Sequence, residues 1–391
     1  MAEPRSDSAD VLIIGAGVYG CALAYFLSSF GRDVLVVDAD DIGAGASGAN
    51  AGNLHLQLSP FSHADKSREW VEAFVRNLPL FLDALELWRQ LAGELPGNLE
   101  LRCPGGLMVA QTAEQLARLR DKVALEQSQG LDVHLIDGAE LRALAPYLSE
   151  SVIAASYCPQ EGMANALGAV VALADGARRN GARFLLHAPV KRVQESGGTF
   201  AVDTLRGTLH GRNLVVAAGS SSADVAALAG LDIPLAQRVI QIVATEPCER
   251  FIDHLVYHGE ARLTLKQAAN GNVIIGGGWT AAVDRVFARP AVLHESLRGS
   301  LAVAHAVVPS LACVNVIRSW AGPNVYTPDG NPILGAVPGR PGLWLAVCNT
   351  YGFTLGPLCA LLVAQAITGR ATAYDLDRYS IARFAGAALR A

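Results

Sequence analysis

The chain has 391 residues, more than a single hydrophobic core usually serves, so we expect two domains. Hydrophobic residues make up 51% of it and charged residues only 17%, a composition that excludes an intrinsically disordered chain. The 31 Lys and Arg against 36 Asp and Glu leave a formal charge of -5, which excludes the basic surface that binding to nucleic acid requires.

The N-terminal segment, residues 1–10, is polar and lacks the basic start and the apolar core of a signal peptide. We therefore expect a cytoplasmic protein. None of the 7 cysteines lies in a C-x-x-C pattern or beside paired histidines, so we expect reduced, mostly buried thiols and no metal site.

Two uncharged stretches, 11–30 and 341–369, are long enough to span a membrane. Each contains glycines in its middle, so each is better interpreted as a buried strand, a glycine turn and a buried helix. We expect no transmembrane segment, and peripheral contact with a membrane surface stays open.

In chain order, the apolar pattern begins with a βαβ unit made of a strand over 11–14, a helix over 19–29 and a strand over 33–37. A helix over 70–91, kinked by Pro79, follows. The later elements are a strand over 106–110, a charged helix over 113–127, a strand over 132–136, a short helix over 140–144, a helix over 164–179, a strand over 183–187, alternating strands over 191–194 and 199–205, and a buried strand over 213–219. Several strands between 237 and 279, with a turn at Asn270-Gly271, should form an antiparallel sheet.

The strongest motif is Gly15-x-Gly17-x-x-Gly20, which follows the first predicted strand and opens the first predicted helix. In such a motif the glycines permit a tight turn, a close approach of the backbone to a pyrophosphate, and close packing of helix on strand. Asp38 ends the next strand, where a carboxylate receives the hydroxyls of an adenosine ribose. The pattern predicts dinucleotide binding, and the alternative for Asp38 is a solvated loop carboxylate.

Four further motifs occur in a fixed order: GAGASGANAG at 43–52, LVVAAG at 214–219, TPDGNPILG at 327–335 and GFTLGP at 352–357. Together with the glycine motif they resemble the FAD-dependent amine oxidoreductases, the family of D-amino-acid oxidases and dehydrogenases, glycine oxidase and sarcosine oxidase. Within the family, RLTLKQ at 262–267, GNVIIGGGW at 271–279 and RSWAGPNVYTPDG at 318–330 resemble the flavin β subunits of opine oxidases most.

The resemblance implies an α/β fold, in which a Rossmann-like FAD-binding domain on a parallel sheet is interleaved with a smaller α+β substrate domain on an antiparallel sheet. We assign 1–90, 161–230 and 319–391 to the FAD-binding domain, and 91–160 and 231–318 to the substrate domain.

The cofactor implied by the resemblance is noncovalent FAD. Small residues in the 43–52 loop would let backbone N–H groups and the Ser47 hydroxyl reach it. The family places Val190 near the adenine and the helix that starts at Gly352 at the pyrimidine edge of the flavin, while Cys348 is expected to be a small buried residue. The expected cofactor-binding residues are Gly15, Gly17, Val18, Tyr19, Gly20, Asp38, Ala39, Gly45, Ala46, Ser47, Asn50, Ala51, Gly52, Val190, Ala218, Gly219, Gly352, Phe353, Thr354 and Leu355.

The reaction implied by the resemblance moves a hydride from the carbon beside an amine to flavin N5, and water hydrolyses the resulting imine. The cofactor does this chemistry, so no catalytic triad is expected. Relatives commonly carry, two residues after Trp320-Ala321-Gly322, an arginine that binds the substrate carboxylate, whereas this chain has Asn324. Arg318 is a substitute candidate or a structural ion-pair partner, and Asn324 and Tyr326 are candidates to bind a larger substrate.

Thr264 stands where a substrate-facing tyrosine often occurs, and alternation places Lys266 on the same face of that strand. Lys266 and His55 are candidate catalytic residues. The alternatives are a solvated edge charge for Lys266 and a packed neighbour of the flavin loop for His55.

The leading hypothesis is therefore an FAD-dependent oxidoreductase that acts on the C–N bond of a D-amino acid, an imino acid or an opine. The likeness to opine oxidases also implies a second flavoprotein subunit and a small iron–sulfur protein as partners. The alternatives are a noncatalytic or electron-relaying flavin subunit of a heteromeric dehydrogenase and an FAD aromatic hydroxylase, whose G-D-A-x-H element we do not find in the sequence.

Overall fold

The structure is a computed structural model that describes residues 7–59, 67–284, 289–347 and 349–385. Residues 1–6 and Cys348, to which two of the sequence predictions refer, lie outside the described residues.

The strands are β1 (Ser8–Ile14), β2 (Val34–Val37), β3 (Asn53–Leu54), β4 (Gly106–Ala110), β5 (His134–Asp137), β6 (Ala154–Cys158), β7 (Gly162–Met163), β8 (Arg183–Leu185), β9 (Val190–Ser196), β10 (Thr199–Thr204), β11 (Gly207–Val216), β12 (Ala236–Pro247), β13 (Leu255–His258), β14 (Thr264–Gln267), β15 (Asn272–Gly276), β16 (Ala282–Asp284), β17 (Arg289–Ala291), β18 (Val316–Tyr326), β19 (Ile333–Ala336) and β20 (Leu343–Val347). The α-helices are α1 (Val18–Ser29), α2 (Ala46–Ala49), α3 (Arg68–Val75), α4 (Leu78–Glu94), α5 (Ala113–Gln127), α6 (Gly138–Leu144), α7 (Ala166–Arg179), α8 (Ser222–Leu228), α9 (His294–Val307) and α10 (Gly352–Ile367).

The first large sheet has the order β19-β20-β11-β1-β2-β8, and the hairpin of β9 and β10 pairs with β11. Strands β20, β11, β1, β2 and β8 are mutually parallel. Alternate residues of β1 enter different cores, with Val11 and Ile13 on one face and Leu12 and Ile14 on the other. Both faces of this sheet are therefore covered, which explains why its strands are continuously apolar in the sequence.

The second large sheet has the order β18-β12-β15-β14-β13-β4-β6-β5. Its pairs are antiparallel except that of β13 with β4, which is parallel. The α/β fold with one parallel sheet and one largely antiparallel sheet is thus confirmed. The expected domain boundaries stay a prediction, and β18 runs across the one expected at 318.

The parallel register brings the carboxyl ends of four strands to one edge. Ile14 aligns with both Val37 and Val216, and Val216 aligns with Leu345. The turns that follow β1, β2, β11 and β20 therefore meet at this edge, where open α/β sheets bind their ligands.

The prediction of one kinked helix over 70–91 is wrong in one respect, because this segment forms two helices. α3 ends at Val75 and α4 starts at Leu78, so Pro79 lies in the first turn of α4, where its missing N–H leaves no intrahelical bond unmade.

Both uncharged stretches, 11–30 and 341–369, form the expected strand, turn and helix. No helix among the described residues is long and apolar enough to span a bilayer.

Candidate functional site

A cavity of about 740 Å3 extends from the carboxyl edge of the parallel sheet to one face of the antiparallel sheet. Its volume is in the range of about 300–1,000 Å3 that small-molecule sites have. The expected cofactor-binding residues that line it are Gly15, Gly17, Val18, Tyr19, Asp38, Ala39, Gly45, Ala46, Ser47, Asn50, Ala51, Val190, Ala218, Gly219, Gly352, Phe353 and Thr354. Gly20, Gly52 and Leu355 do not line it.

The turn after β1 requires its glycines for two different reasons. Gly15 has a φ of +116°, and a Cβ there would lie 2.4 Å from the carbonyl oxygen of Ala217. A Cβ on Gly20 would lie 1.8 Å from the carbonyl oxygen of Gly15, so Gly20 allows α1 to pack on the turn. Gly17 opens α1 and faces the cavity, which leaves the helix N-terminus accessible to an anion.

Asp38 is a half-buried carboxylate that holds the turn rather than a solvated loop residue. Its Oδ2 accepts a short hydrogen bond from the backbone N–H of Ala16, and its Oδ1 accepts one from Asp40, 2.9 Å away. Burial raises the pKa of Asp38, although the backbone hydrogen bonds oppose the shift. The carboxylate still lines the cavity, where it can accept further hydrogen bonds.

The 43–52 loop is pinned to the glycine turn through Ser47. The hydroxyl of Ser47 accepts the backbone N–H of Val18 at 2.9 Å and keeps its own proton to donate. Asn50 shapes the same loop, since its amide nitrogen donates to the carbonyl of Ser47 at 2.6 Å and its amide oxygen accepts from the backbone of Gly52 at 2.7 Å.

The N-terminus of α10 closes one side of the cavity. Gly352, Phe353 and Thr354 line it, and the Thr354 hydroxyl accepts the backbone N–H of His55 at 3.1 Å. The dipole of this sixteen-residue helix favours negative charge in the cavity.

Aromatic side chains surround the other end of the cavity. The ring of His55 lies 5.5 Å from that of Tyr257 and 5.9 Å from that of Tyr351, and Trp70 stacks on Phe74 with centroids 5.1 Å apart. We call this end, lined by His55, Trp70, Phe74, Tyr257 and Tyr351, the aromatic chamber. Burial and the nearby charge of Lys266 lower the pKa of His55 to about 4, so its ring is neutral at neutral pH.

Three buried polar atoms on residues that line the cavity lack a protein partner among the described residues. They are the hydroxyl of Tyr257, a residue only 5% exposed, the amide oxygen of Asn53 and the amide nitrogen of Gln241. A buried polar group without a partner costs free energy unless a ligand satisfies it. Tyr257 pairs directly with Thr264 across β13 and β14, so it places a tyrosine beside the position where relatives often have one.

Lys266 is not the solvated edge charge that was one alternative. It lies on β14, an interior strand, and is 4% exposed. Its ammonium is 3.4 Å from the carbonyl oxygen of Ala164 and does not line the cavity. Burial, with a smaller contribution from Arg102, lowers the pKa of Lys266 to about 7.

The structure brings Asn324, Tyr326, Thr264 and His55 to the cavity wall. Arg318 is exposed and is not among the residues that line the cavity, so the structure does not support it as a substrate-binding candidate. It lies six positions before Asn324 along β18, about 20 Å at the usual rise of a strand.

Some residues of this site carry no signal in the sequence. Arg238 and Tyr257 line the cavity, and no local motif marks either of them. Arg262 also lines it and begins the RLTLKQ motif, but the motif alone did not single it out as a site residue.

A buried network next to the aromatic chamber was likewise not predicted. Lys122 binds Glu126 at 2.8 Å and the amide oxygen of Gln57 at 2.9 Å. Glu161 accepts the backbone N–H groups of Leu56 and Gln57, each at 2.8 Å. This network fixes the backbone that carries His55.

The residues present fit a dinucleotide with a second aromatic group. A glycine cradle, an accepting carboxylate at Asp38 and two exposed helix N-termini lie on one continuous cavity, and the cavity continues into the aromatic chamber. This arrangement defines an enzyme that holds a dinucleotide cofactor beside a substrate.

The comparisons with known proteins agree with that class. The family described as FAD dependent oxidoreductase (DAO) matches residues 10–366, so the chain belongs to this family, which implies that it binds FAD. It is 28% identical over 379 residues to one of the subunits of opine oxidase from Agrobacterium tumefaciens (strain Ach5), covering 96% of this chain and 97% of that one. It is 28% identical over 390 residues to the beta subunit of sarcosine oxidase from Rhizobium meliloti (strain 1021), covering 95% and 88%. The crystal structure of glycine oxidase from Geobacillus kaustophilus matches with a TM-score of 0.86 and 26% identity, covering 96% of this chain and 99% of that one.

Proposed function

We propose that this protein oxidises the C–N bond of an amino acid or an N-substituted amino acid, and that water hydrolyses the imine product. The observation that carries the proposal is the continuity of one cavity from the glycine cradle to the aromatic chamber, where the hydroxyl of Tyr257 has no partner among the described residues. FAD supplies the hydride acceptor for this reaction when bound.

The charges around the aromatic chamber favour a neutral amine. The acidic residues among those that line the cavity are Asp38 and Asp40, and both belong to the cofactor cradle. With His55 neutral and Lys266 near it, the described residues of the chamber offer no carboxylate to an ammonium group. A substrate amine must therefore lose its proton on binding, which leaves the nitrogen lone pair able to assist loss of hydride from the adjacent carbon.

The chain's own residues position the substrate and exclude water. The rings of Trp70, Phe74 and Tyr351 cover the apolar part of the chamber, and Tyr257 and Asn324 supply hydrogen-bonding groups. The N-terminus of α10 stabilises negative charge that develops beside it during reduction.

We further propose that FAD is held without a covalent bond. Among the described residues no cysteine lines the cavity. Denaturation in SDS should release all of the flavin, and a yellow polypeptide after denaturation would contradict the proposal.

A heteromeric assembly is the second part of the proposal. Two of the similar proteins are named as subunits, one of an opine oxidase and one of a sarcosine oxidase. We infer that this chain joins a second flavoprotein subunit and a small iron–sulfur protein. The test compares the rate of substrate oxidation by the isolated chain, with an artificial electron acceptor, before and after addition of its native membrane or protein extract. Equal rates at the full value would contradict the heteromeric assembly.

The test of the proposed activity is an anaerobic absorption spectrum of the FAD-loaded protein during addition of single compounds. The panel contains D- and L-amino acids, sarcosine, proline, hydroxyproline and opines. Bleaching of the visible absorption band of the flavin by one class of compound in the panel establishes amine oxidation. A bound flavin that dithionite bleaches but no amine does would favour the alternative of an electron-relaying subunit.

A further inference from the structure

The antiparallel pair of β12 and β18 forms one wall of the cavity, and its register places three polar side chains together. Arg238 pairs directly with Asn324, and Ala236 pairs with Tyr326. Because alternate residues of a strand share a face, Arg238, Asn324 and Tyr326 lie on the same face of the sheet. All three line the cavity.

Arg238 is held by an aromatic ring instead of an acid. Its guanidinium carbon lies 5.5 Å from the centroid of the Tyr326 ring, and it has no ion pair within the described ranges of the chain. A guanidinium stacked on a ring keeps its edge N–H groups available, and these match the two oxygens of a carboxylate.

Tyr326 adds a second donor at the same place. The amide nitrogen of Asn324 donates to the Tyr326 hydroxyl at 3.0 Å. The hydroxyl therefore acts as an acceptor toward Asn324 and directs its own proton elsewhere, so it can donate to an anion that Arg238 binds.

The other cationic side chains near the cavity either have a hydrogen-bond partner already or do not line the cavity. Arg262 donates from Nη1 to the carbonyl of Gly278 at 2.8 Å, and Lys266 lies behind the wall. Arg318 lies outside the cavity, stacked on Trp320 with the same separation of 5.5 Å. Arg318 is thus a matched control for Arg238, since both are exposed arginines stacked on a ring of the same strand pair.

We infer that Arg238, assisted by the Tyr326 hydroxyl, binds the carboxylate of the substrate and so replaces the arginine that is absent at position 324. This inference rests on the proposed function. The carboxylate-binding cation would thus lie on β12 instead of on the neighbouring strand β18, about 5 Å away in the sheet. Asn324 fills less of the wall than an arginine there would, so the arrangement favours a substrate with an N-substituent or a longer side chain over glycine.

The test compares Arg238→Gln, Arg238→Lys and the control Arg318→Gln in the FAD-loaded protein. For a compound that bleaches the wild-type flavin, Arg238→Gln should raise KM by about 10- to 100-fold, with the limiting rate of flavin reduction nearly unchanged. Arg238→Lys should recover part of the loss, because it restores the charge without the planar fork. Arg318→Gln should match the wild type.

A second readout separates this inference from the proposed activity. Benzoate, as a carboxylate probe, should perturb the flavin spectrum of the wild type and of Arg318→Gln at a Kd at least about tenfold lower than that of Arg238→Gln. Benzamide, which lacks the charge, should show no difference between variants. If no amine reduces the flavin but benzoate binding still depends on Arg238, the proposed activity is wrong and the anion site at Arg238 is retained.

Two results would overturn the inference. One is an Arg238→Gln protein with the wild-type KM and the wild-type Kd for benzoate. The other is an Arg262→Gln protein that loses binding of the carboxylate while Arg238→Gln retains it. The double variant Arg238→Gln with Asn324→Arg offers a rescue, which should restore benzoate binding and shift the preference toward smaller amino acids.

Discussion

The burial of Lys266 predicts how the free energy of unfolding depends on pH. We consider Lys266→Met, which keeps the length of the side chain and removes its charge. In the folded protein, burial lowers the pKa of this ammonium from an ordinary value of 10.5 to about 7. At about 1.4 kcal/mol for each pH unit, the protonated form costs the folded state about 5 kcal/mol, an upper bound for a site that water can partly reach.

The direction of the effect follows from which state holds the proton. Below pH 7 both the folded and the unfolded chain are protonated at Lys266, so the cost of burying the charge is fully present. Between pH 7 and 10.5 the folded protein releases the proton and the unfolded chain keeps it, so the cost falls as pH rises. Lys266→Met lacks this dependence, and its advantage in free energy of unfolding over the wild type should shrink by about 3 kcal/mol from pH 6 to pH 9.

The assay is urea unfolding followed by tryptophan fluorescence at both pH values, with saturating FAD in every sample. Comparison of two variants cancels the other titrating groups that they share. Lys191→Met is the control, because Lys191 lies on β9 with its side chain exposed to water. A difference between Lys266→Met and the wild type that stays constant from pH 6 to pH 9 would refute the reasoning from desolvation.

Three further substitutions test the site. Gly17→Val should lower the ratio of bound flavin to protein, because a Cβ at Gly17 would lie 3.0 Å from the Ser47 hydroxyl, and a variant that purifies with the wild-type flavin content would contradict this. Tyr257→Phe should raise KM by about tenfold without lowering the unfolding midpoint, since the hydroxyl that it removes has no partner among the described residues; a lower midpoint with unchanged KM would assign the hydroxyl a structural role. Glu161→Gln should lower the free energy of unfolding by about 1–3 kcal/mol, because Glu161 accepts bonds from two backbone N–H groups and from the Gln57 amide, whereas the exposed control Glu114→Gln should change it little.

Local sequence signals predicted the cofactor half of the fold well. The glycine motif needs a strand, a turn and a helix within a few residues, and a buried parallel sheet needs continuous apolar runs, so both can be recognised without the rest of the chain. Pro79 shows the limit of such reasoning. It breaks a helix or starts one, and the choice depends on the packing around residues 76 and 77.

The substrate half depends on pairings that no local pattern encodes. Arg238 and Asn324 are far apart in the chain and become neighbours only through the register of β12 and β18. Lys122 and Glu126 look like an ordinary surface pair of a charged helix, four residues apart, yet the structure buries both. Burial is set by the tertiary packing over that helix face, so the sequence pattern alone could not distinguish the two outcomes.

The late position of α10 in the chain has a consequence for how the protein is made. The cradle of the cofactor starts at Gly15, whereas the helix that closes its far side starts only at Gly352. A chain still on the ribosome has the first glycine turn long before it has the last wall of the cavity. Tight retention of the cofactor should therefore wait until α10 has emerged, and a message cut short before α10 should yield a polypeptide that does not retain it.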